Sequence, residues 1–121
     1  MYKVIIVFLV FTSISALAAE THNSVPVEFQ GKWSSELKYC NTDNVNNLKI
    51  QKNQIEFWES DGPILAVVTR ENNEVAFIAE LTGEGDQWLS FTHFALSSNK
   101  SKLTDITDPY QKNKLVRLRC K

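Results

Sequence analysis

Turn-forming residues recur about every ten positions between residues 41 and 113, and this spacing constrains the fold more than any other feature of the chain. Asn72-Asn73 suits a tight turn because asparagine tolerates a positive φ, and Gly83-Glu84-Gly85-Asp86 suits a hairpin loop for a similar reason. The segments between the turns are rich in β-branched and aromatic residues and lack the apolar stripe of an amphipathic helix. Such a pattern is typical of an all-β barrel or sandwich.

Three of these segments alternate between apolar and polar residues with a period of two, as strands with one buried face do. The apolar sets are Ile55 and Phe57; Val75, Phe77, Ala79 and Leu81; and Val116, Leu118 and Cys120. We predict a small antiparallel up-and-down β-barrel of about eight strands, at residues 32–39, 48–51, 54–59, 64–70, 74–81, 87–96, 102–106 and 114–120. Asp61-Gly62-Pro63 is predicted to be a turn, and residues 20–24 a loose tail.

The first 18 residues have the features of a signal peptide. Lys3 supplies the positive charge, residues 4–11 form an apolar run, and Ala16-Leu17-Ala18 is a small-x-small cleavage site. An uncleaved anchor is the alternative, but the run is shorter than the roughly twenty residues that span a bilayer. We therefore predict cleavage after Ala18, one domain at residues 19–121 without a membrane span, and a periplasmic or secreted location.

Cys40 and Cys120 are the only cysteines, and export implies an oxidising environment. We predict that they form a disulfide; two free thiols or half of a metal site are the alternatives. The pairing conflicts with a simple meander. Both cysteines lie at the C-terminal ends of their strands, and a meander places the C-terminal ends of the first and last strands on opposite rims, whereas a disulfide needs Cα atoms within about 7 Å. Either the segment after Cys40 folds along the barrel wall, strand tilt and shear offset the two ends, or the strand count is wrong by one.

Charge is distributed unevenly along a chain whose net charge is only −1. Residues 56–86 contain eight acidic side chains and one basic one, whereas residues 100–121 contain seven basic and two acidic ones. Two interpretations remain open: strands of opposite charge pair across the sheet, or an acidic face attracts a cationic partner. A nucleic-acid-binding protein would usually be more basic overall, so we expect no nucleic-acid partner.

The start of the first predicted strand, Phe29-Gln30-Gly31-Lys32-Trp33, resembles the Gly-x-Trp opening of the calycin barrels, which comprise lipocalins, fatty-acid-binding proteins and avidins. The resemblance implies that Trp33, following Gly31, closes one end of a barrel and packs against an arginine of the last strand, either Arg117 or Arg119. Size, export and the near-terminal disulfide are also similar to those of small periplasmic lysozyme-inhibitor barrels, although their inhibitory loop motif is not recognisable here.

Neither histidine has an evident catalytic partner: His22 lies in the predicted tail, and His93 lies in a strand among aromatic residues. Glu56, Glu59 and Asp61 form the tightest acidic cluster, but their spacing does not match a calcium-binding loop. We therefore predict no catalytic residues, no metal site and no cofactor.

The aromatic residues beside the acidic cluster are the better candidates for a binding surface. Trp58 alternates with Ile55 and Phe57, so it should point outward, and Trp88 follows the glycine loop. We predict a non-catalytic binding protein, an inhibitor being one version, that engages a cationic protein through Trp58, Trp88, Glu56, Glu59 and Asp61. The main alternative is a calycin-like carrier of a small apolar ligand, which needs a hollow interior. An enzyme and a purely structural domain are further alternatives.

Overall fold

The computed structural model describes residues 19–70 and 73–121, so the predicted signal peptide at residues 1–18 lies outside the described residues. The described chain contains nine strands and two short 3₁₀ turns, Val27–Phe29 and Leu37–Tyr39. The strands are β1 Glu20–His22, β2 Gly31–Ser34, β3 Leu48–Ile50, β4 Gln54–Phe57, β5 Ser60–Arg70, β6 Glu74–Gly83, β7 Asp86–Leu96, β8 Lys102–Asp105 and β9 Val116–Arg119. Within these ranges, no helix has the length and apolar character needed to cross a membrane.

Strands β2 to β9 pair in chain order, and β9 returns to pair with β2, so eight antiparallel strands close into an up-and-down barrel. This architecture confirms the predicted fold class and is compatible with a calycin-like barrel. Strand β1 is additional and corrects the prediction of a loose tail at residues 20–24. Because β4 pairs with β5 only as far as Pro63, the second half of β5 has a free edge there, and β1 supplies its hydrogen-bonding partners at Val67–Thr69.

The barrel interior is occupied by large apolar side chains. The alternating set Val75, Phe77, Ala79 and Leu81 of β6 is buried, as the period of two predicts. At the centre, the rings of Phe77 and Phe94 lie 6.1 Å apart, centroid to centroid, and both side chains are completely buried. Large apolar side chains therefore lie in the space in which a carrier barrel holds its ligand.

Trp33 and Arg119 help to close the lower end of the barrel, which we define as the end that carries the β3–β4 turn and residues 23–30. The Trp33 indole N–H donates to the carbonyl oxygen of Phe29 at 3.1 Å, and the Arg119 guanidinium carbon lies 4.2 Å from the centre of the indole. Arg119 also donates to the backbone carbonyls of Glu28, Gln30 and Lys100. Arg117 does not contact Trp33 in this way and lies instead over the ring of Phe94.

Arg117 points into the barrel, so the expectation that the apolar side of β9 is the buried one is wrong. Arg117 is buried while Val116 is exposed. The Arg117 Nε donates to the carbonyl oxygen of Asn46 at 2.8 Å, and a carboxylate oxygen of Asp105 lies 4.0 Å from Nη1. Burial lowers the pKa of the Arg117 guanidinium, since it removes water from the cation, and Asp105 only partly opposes this effect.

The chain reverses direction after Ser34, which resolves the conflict between the disulfide and the meander. Strand β2 ends at Ser34 rather than at residue 39, and the Leu37–Tyr39 turn sends the chain back along the outside of the barrel. Asn47 holds this segment, since its side chain accepts from the Ser34 hydroxyl and donates to the carbonyl oxygens of Tyr39 and Thr42. Cys40 thereby reaches Cys120 with a Cα–Cα distance of 5.8 Å, and the predicted disulfide is confirmed.

The predicted turn at Asp61-Gly62-Pro63 is wrong, because these residues lie inside the long strand β5. Gly62 is required there for packing rather than for a turn: a Cβ atom at this position would collide with the backbone carbonyl of Glu80 on β6. The actual reversal occurs two residues earlier, at Trp58 and Glu59 between β4 and β5. Both tryptophans outside the core are thus placed at the upper end of the barrel, opposite to Trp33.

Candidate functional site

Two hairpins at the upper end of the barrel form an acidic and aromatic cleft, which we call the rim cleft. The β4–β5 hairpin contributes Trp58, Glu59 and Ser60, and the β6–β7 hairpin contributes Gly83, Glu84, Asp86 and Trp88. The cleft has a volume of about 360 Å³ and is open to solvent. Its size is at the lower end of the range for small-ligand pockets, so it suits one side chain or a compact ligand.

Both hairpins turn through two-residue loops that fix the side chains of the rim cleft. In the β6–β7 hairpin, Glu84 and Gly85 both have positive φ, 50° and 81°, as a type I′ turn requires. In the β4–β5 hairpin, Glu59 has φ of 60°. Gly83 lets the two hairpins approach, because a Cβ atom there would collide with the Glu59 carbonyl and lie 3.3 Å from the Trp88 ring. The site is therefore built by backbone geometry as well as by side chains.

The rim cleft combines negative charge with accessible indole rings. Among its described lining residues, Glu59, Glu84 and Asp86 are acidic and none is basic. Trp58 and Trp88 remain 42% and 41% exposed, which is unusual for side chains of this size. Carboxylates attract a cation by charge, and the faces of the indoles attract it through their quadrupole. The arrangement therefore favours an ammonium or guanidinium group.

Trp58 also borders a second cleft on the barrel wall, which we call the wall cleft. This cleft, of about 270 Å³, lies between the strands and the returning segment that carries Cys40, Asp43 and Asn44. The Trp58 indole N–H donates to a carboxylate oxygen of Asp43 at 3.0 Å, which orients the ring between the two clefts. The wall cleft is lined by Lys32 as well as by Glu56 and Asp43, so its charge is mixed.

Glu56 and Asp61 stand directly opposite each other on β4 and β5, so two like charges face one another on the outer wall. Such a pair destabilises a sheet modestly. On its other side Glu56 pairs with Lys49, which is the kind of opposite-charge pairing that the sequence suggested. The described registers thus contain an opposite-charge pair at Lys49 and Glu56 and a like-charge pair at Glu56 and Asp61.

The structure brings together some of the predicted site residues and separates others. Trp58, Glu59 and Trp88 share the rim cleft, whereas Glu56 lines the wall cleft, and Asp61 is exposed on β5 and is not among the described lining residues of either cleft. Sequence reasoning missed Glu84 and Asp86, because the segment Gly83–Asp86 was interpreted only as a hairpin loop. It also missed Asp43, which is far from Trp58 in sequence.

His22 and His93 are not among the described lining residues of the rim cleft or the wall cleft. His93 lies on the outer wall with its Nε2 3.5 Å from a carboxylate oxygen of Glu74, and the His22 Nε2 is 2.6 Å from the hydroxyl oxygen of Thr69. Within residues 19–70 and 73–121, no three side chains of the types His, Cys, Asp and Glu are placed to hold a metal ion. That the protein is not an enzyme stays a prediction.

The positive φ of Glu59 lowers the stability of the β4–β5 hairpin. We expect Glu59→Gly to raise the free energy of unfolding by about 1 kcal/mol, because glycine removes the steric cost of a positive φ. The measurement is urea denaturation, with Glu56→Gly as the matched control. Glu56 lies in extended β4, so that change should lower stability by about 0.5–1 kcal/mol. A loss of stability in both variants would contradict the expectation.

Comparisons with protein-family models, with curated proteins and with solved structures found no significant match to this chain.

Proposed function

We propose that this chain is a non-catalytic binding protein that accepts a cationic side chain of a partner protein, a lysine or an arginine, in the rim cleft. The observation that carries the proposal is the composition of the cleft: two half-exposed indoles and three carboxylates, with no base among the described lining residues. Tryptophan and arginine are the side chains most enriched at the energetic centres of protein interfaces, and they attract each other directly.

The packed interior favours this function over that of a carrier. Phe77 and Phe94 are completely buried at the centre of the barrel, where an apolar ligand would have to bind. The rim cleft, in contrast, is accessible without any rearrangement of the core. In this proposal the calycin-like barrel that Gly31, Trp33 and Arg119 suggest is a rigid scaffold, and the hairpins at its upper end supply the binding surface.

The disulfide supports a location outside the cytoplasm, as disulfides persist mainly in oxidising compartments. We place the function in the periplasm or the exterior, and an inhibitor of a cationic envelope-degrading enzyme is one version of it. An inhibitor needs to present a preformed anchor to its target, which the two short hairpin loops of the rim cleft provide.

The test is capture of partners from an envelope extract by wild-type protein and by variants of the rim. We expect Trp58→Ala and Glu59→Gln each to raise the dissociation constant of the captured partner at least tenfold in calorimetry, because the loss of a central interface contact has an effect of about this size. Glu20→Gln is the matched control, because it removes the same charge from an exposed residue of β1, outside the rim cleft. It should leave the affinity within about twofold.

Salt dependence provides a second criterion. The charged contact is expected to weaken between 50 and 500 mM salt, since the screening length then falls below about 10 Å. The proposal is rejected if the wild type, Glu59→Gln and Glu20→Gln capture the same proteins with equal affinity at both salt concentrations. It is also rejected if binding is lost on Glu20→Gln as strongly as on Glu59→Gln, because long-range charge alone would then explain the contact.

A further inference from the structure

The outer wall of the barrel carries an apolar patch that neither cleft explains. Phe91 on β7 and Ile78 on β6 are directly opposed, Leu65 bulges from β5 beside the partner of Ile78, and Leu89 lies two residues before Phe91. Their exposed fractions are 57% for Leu65, 42% for Ile78, 69% for Leu89 and 55% for Phe91. A continuous patch of this kind marks an interaction surface more often than a single exposed side chain does.

We propose that this patch joins two copies of the chain face to face, with a two-fold axis that crosses the strands at Ile78. An isologous interface needs a surface that complements itself. The centre of the patch meets this requirement, since Ile78 would contact Ile78 of the other copy and Phe91 would contact Phe91. Two sheets packed in this way lie about 10 Å apart, and their inner side chains interdigitate.

The charges around the patch support this particular axis. Arg70 pairs with Glu74, four residues before Ile78, and Asp61 pairs with Thr82, four residues after it. A two-fold axis across the strands therefore places Arg70 of each copy opposite Asp61 of the other. The same operation places Glu74 opposite Thr82 and Glu80 opposite Ala76, so no like charges meet along β6.

An axis that runs along β6, parallel to the strands, gives the opposite result. It would leave each residue of β6 facing its own copy, so that Glu74 would meet Glu74 and Glu80 would meet Glu80. Like charges in contact across an interface disfavour association. The arrangement of charges thus favours the crossed axis over an axis along β6.

The patch does not include the residues of the rim cleft, so this inference is independent of the proposed function. In the dimer the two barrels run in opposite directions along β6, and the rim clefts face away from each other. A patch of a few hundred Å² on each copy corresponds to a small interface. We therefore expect a reversible dimer with a dissociation constant of about 1–100 µM rather than a permanent one.

The test is sedimentation equilibrium of the oxidised protein between 5 and 500 µM. Ile78→Lys should weaken the dimer at least tenfold, and Val45→Lys is the matched control, since Val45 is an exposed apolar residue in the returning segment that carries Cys40. Circular dichroism checks that both variants fold. A protein that stays monomeric up to 500 µM, or a dimer that Ile78→Lys leaves unchanged, would overturn the proposal.

Charge exchange tests the orientation of the two copies. Asp61→Arg and Arg70→Asp should each weaken the dimer at least threefold, because each change creates two like-charge contacts in the symmetric pair. The double variant restores both pairs with their signs reversed, and its dissociation constant should return to within about twofold of the wild type. Failure of the double variant to recover would overturn the crossed axis and, with it, the proposed dimer.

Discussion

Replacing Cys40 and Cys120 together by serine is expected to lower the free energy of unfolding by about 4 kcal/mol. The disulfide closes a loop of 80 residues, nearly the whole barrel, and in the chain-entropy model a loop of this length restricts the unfolded state by about that amount. Since small domains are stable by about 5–15 kcal/mol, the loss is a large part of the total. Urea denaturation of the double variant beside the oxidised wild type measures it.

Reduction of the wild type supplies the control, because it opens the same loop without changing any side chain beyond the two thiols. Dithiothreitol should reduce the stability of the wild type to that of the double variant and leave the double variant unchanged. The urea dependence should also steepen when the bond is absent, as the unfolded chain then exposes more surface. A difference below about 1 kcal/mol between the oxidised and the reduced wild type would contradict the loop-closure argument.

The strands could be predicted where one face of a strand packs on the core and the other face is exposed to solvent. On β6, Val75, Phe77 and Leu81 face the core, and the polar residues Glu74, Glu80 and Thr82 face outward, so the period of two shows at the ends of the strand, although the outward residues Ala76 and Ile78 are apolar. The closed eight-stranded barrel followed from the number and spacing of such segments.

Features that depend on distant contacts could not be predicted in the same way. The alternation along β9 is present, but it does not indicate which face is inside. Here Arg117 is buried because its guanidinium contacts Asp105, the ring of Phe94 and the carbonyl oxygen of Asn46. The predicted strand at residues 32–39 extends beyond the end of β2 at Ser34 for a related reason. Nothing local marks Ser34 as its end; the return of the chain depends on Asn47, thirteen residues later.

The candidate site shows the same division. Trp58 and Glu59 could be identified because they are neighbours in the sequence and directly follow β4, whose alternation points Trp58 outward. Their association with Trp88, Glu84 and Asp86 depends on β5 and β6 pairing so that two hairpin loops reach one rim. A sequence pattern cannot fix that distance, whereas the need for glycine at position 83, where the loops meet, is evident only in the structure.

Trp33→Ala is the other change from which we expect a large effect, a loss of about 3–5 kcal/mol in the free energy of unfolding. The side chain is 1% exposed, so its removal leaves a cavity that the surrounding strands cannot easily fill. It also leaves the carbonyl of Phe29 without its donor and Arg119 without the ring on which it lies. Thermal and urea unfolding of the oxidised protein measure the loss.

Trp88→Ala is the matched control, because it makes the same chemical change at a half-exposed indole of the rim. That variant should lose no more than about 1 kcal/mol, since water already contacts much of the ring. If Trp33→Ala does not fold, Trp33→Phe is measured instead. This variant retains a ring for Arg119 but lacks the indole donor, and its free energy of unfolding should be lower by about 1–2 kcal/mol. Equal losses for Trp33→Ala and Trp88→Ala would mean that Trp33 and Arg119 do not close the lower end of the barrel, and that the resemblance to calycin barrels at Gly31 and Trp33 has no structural consequence.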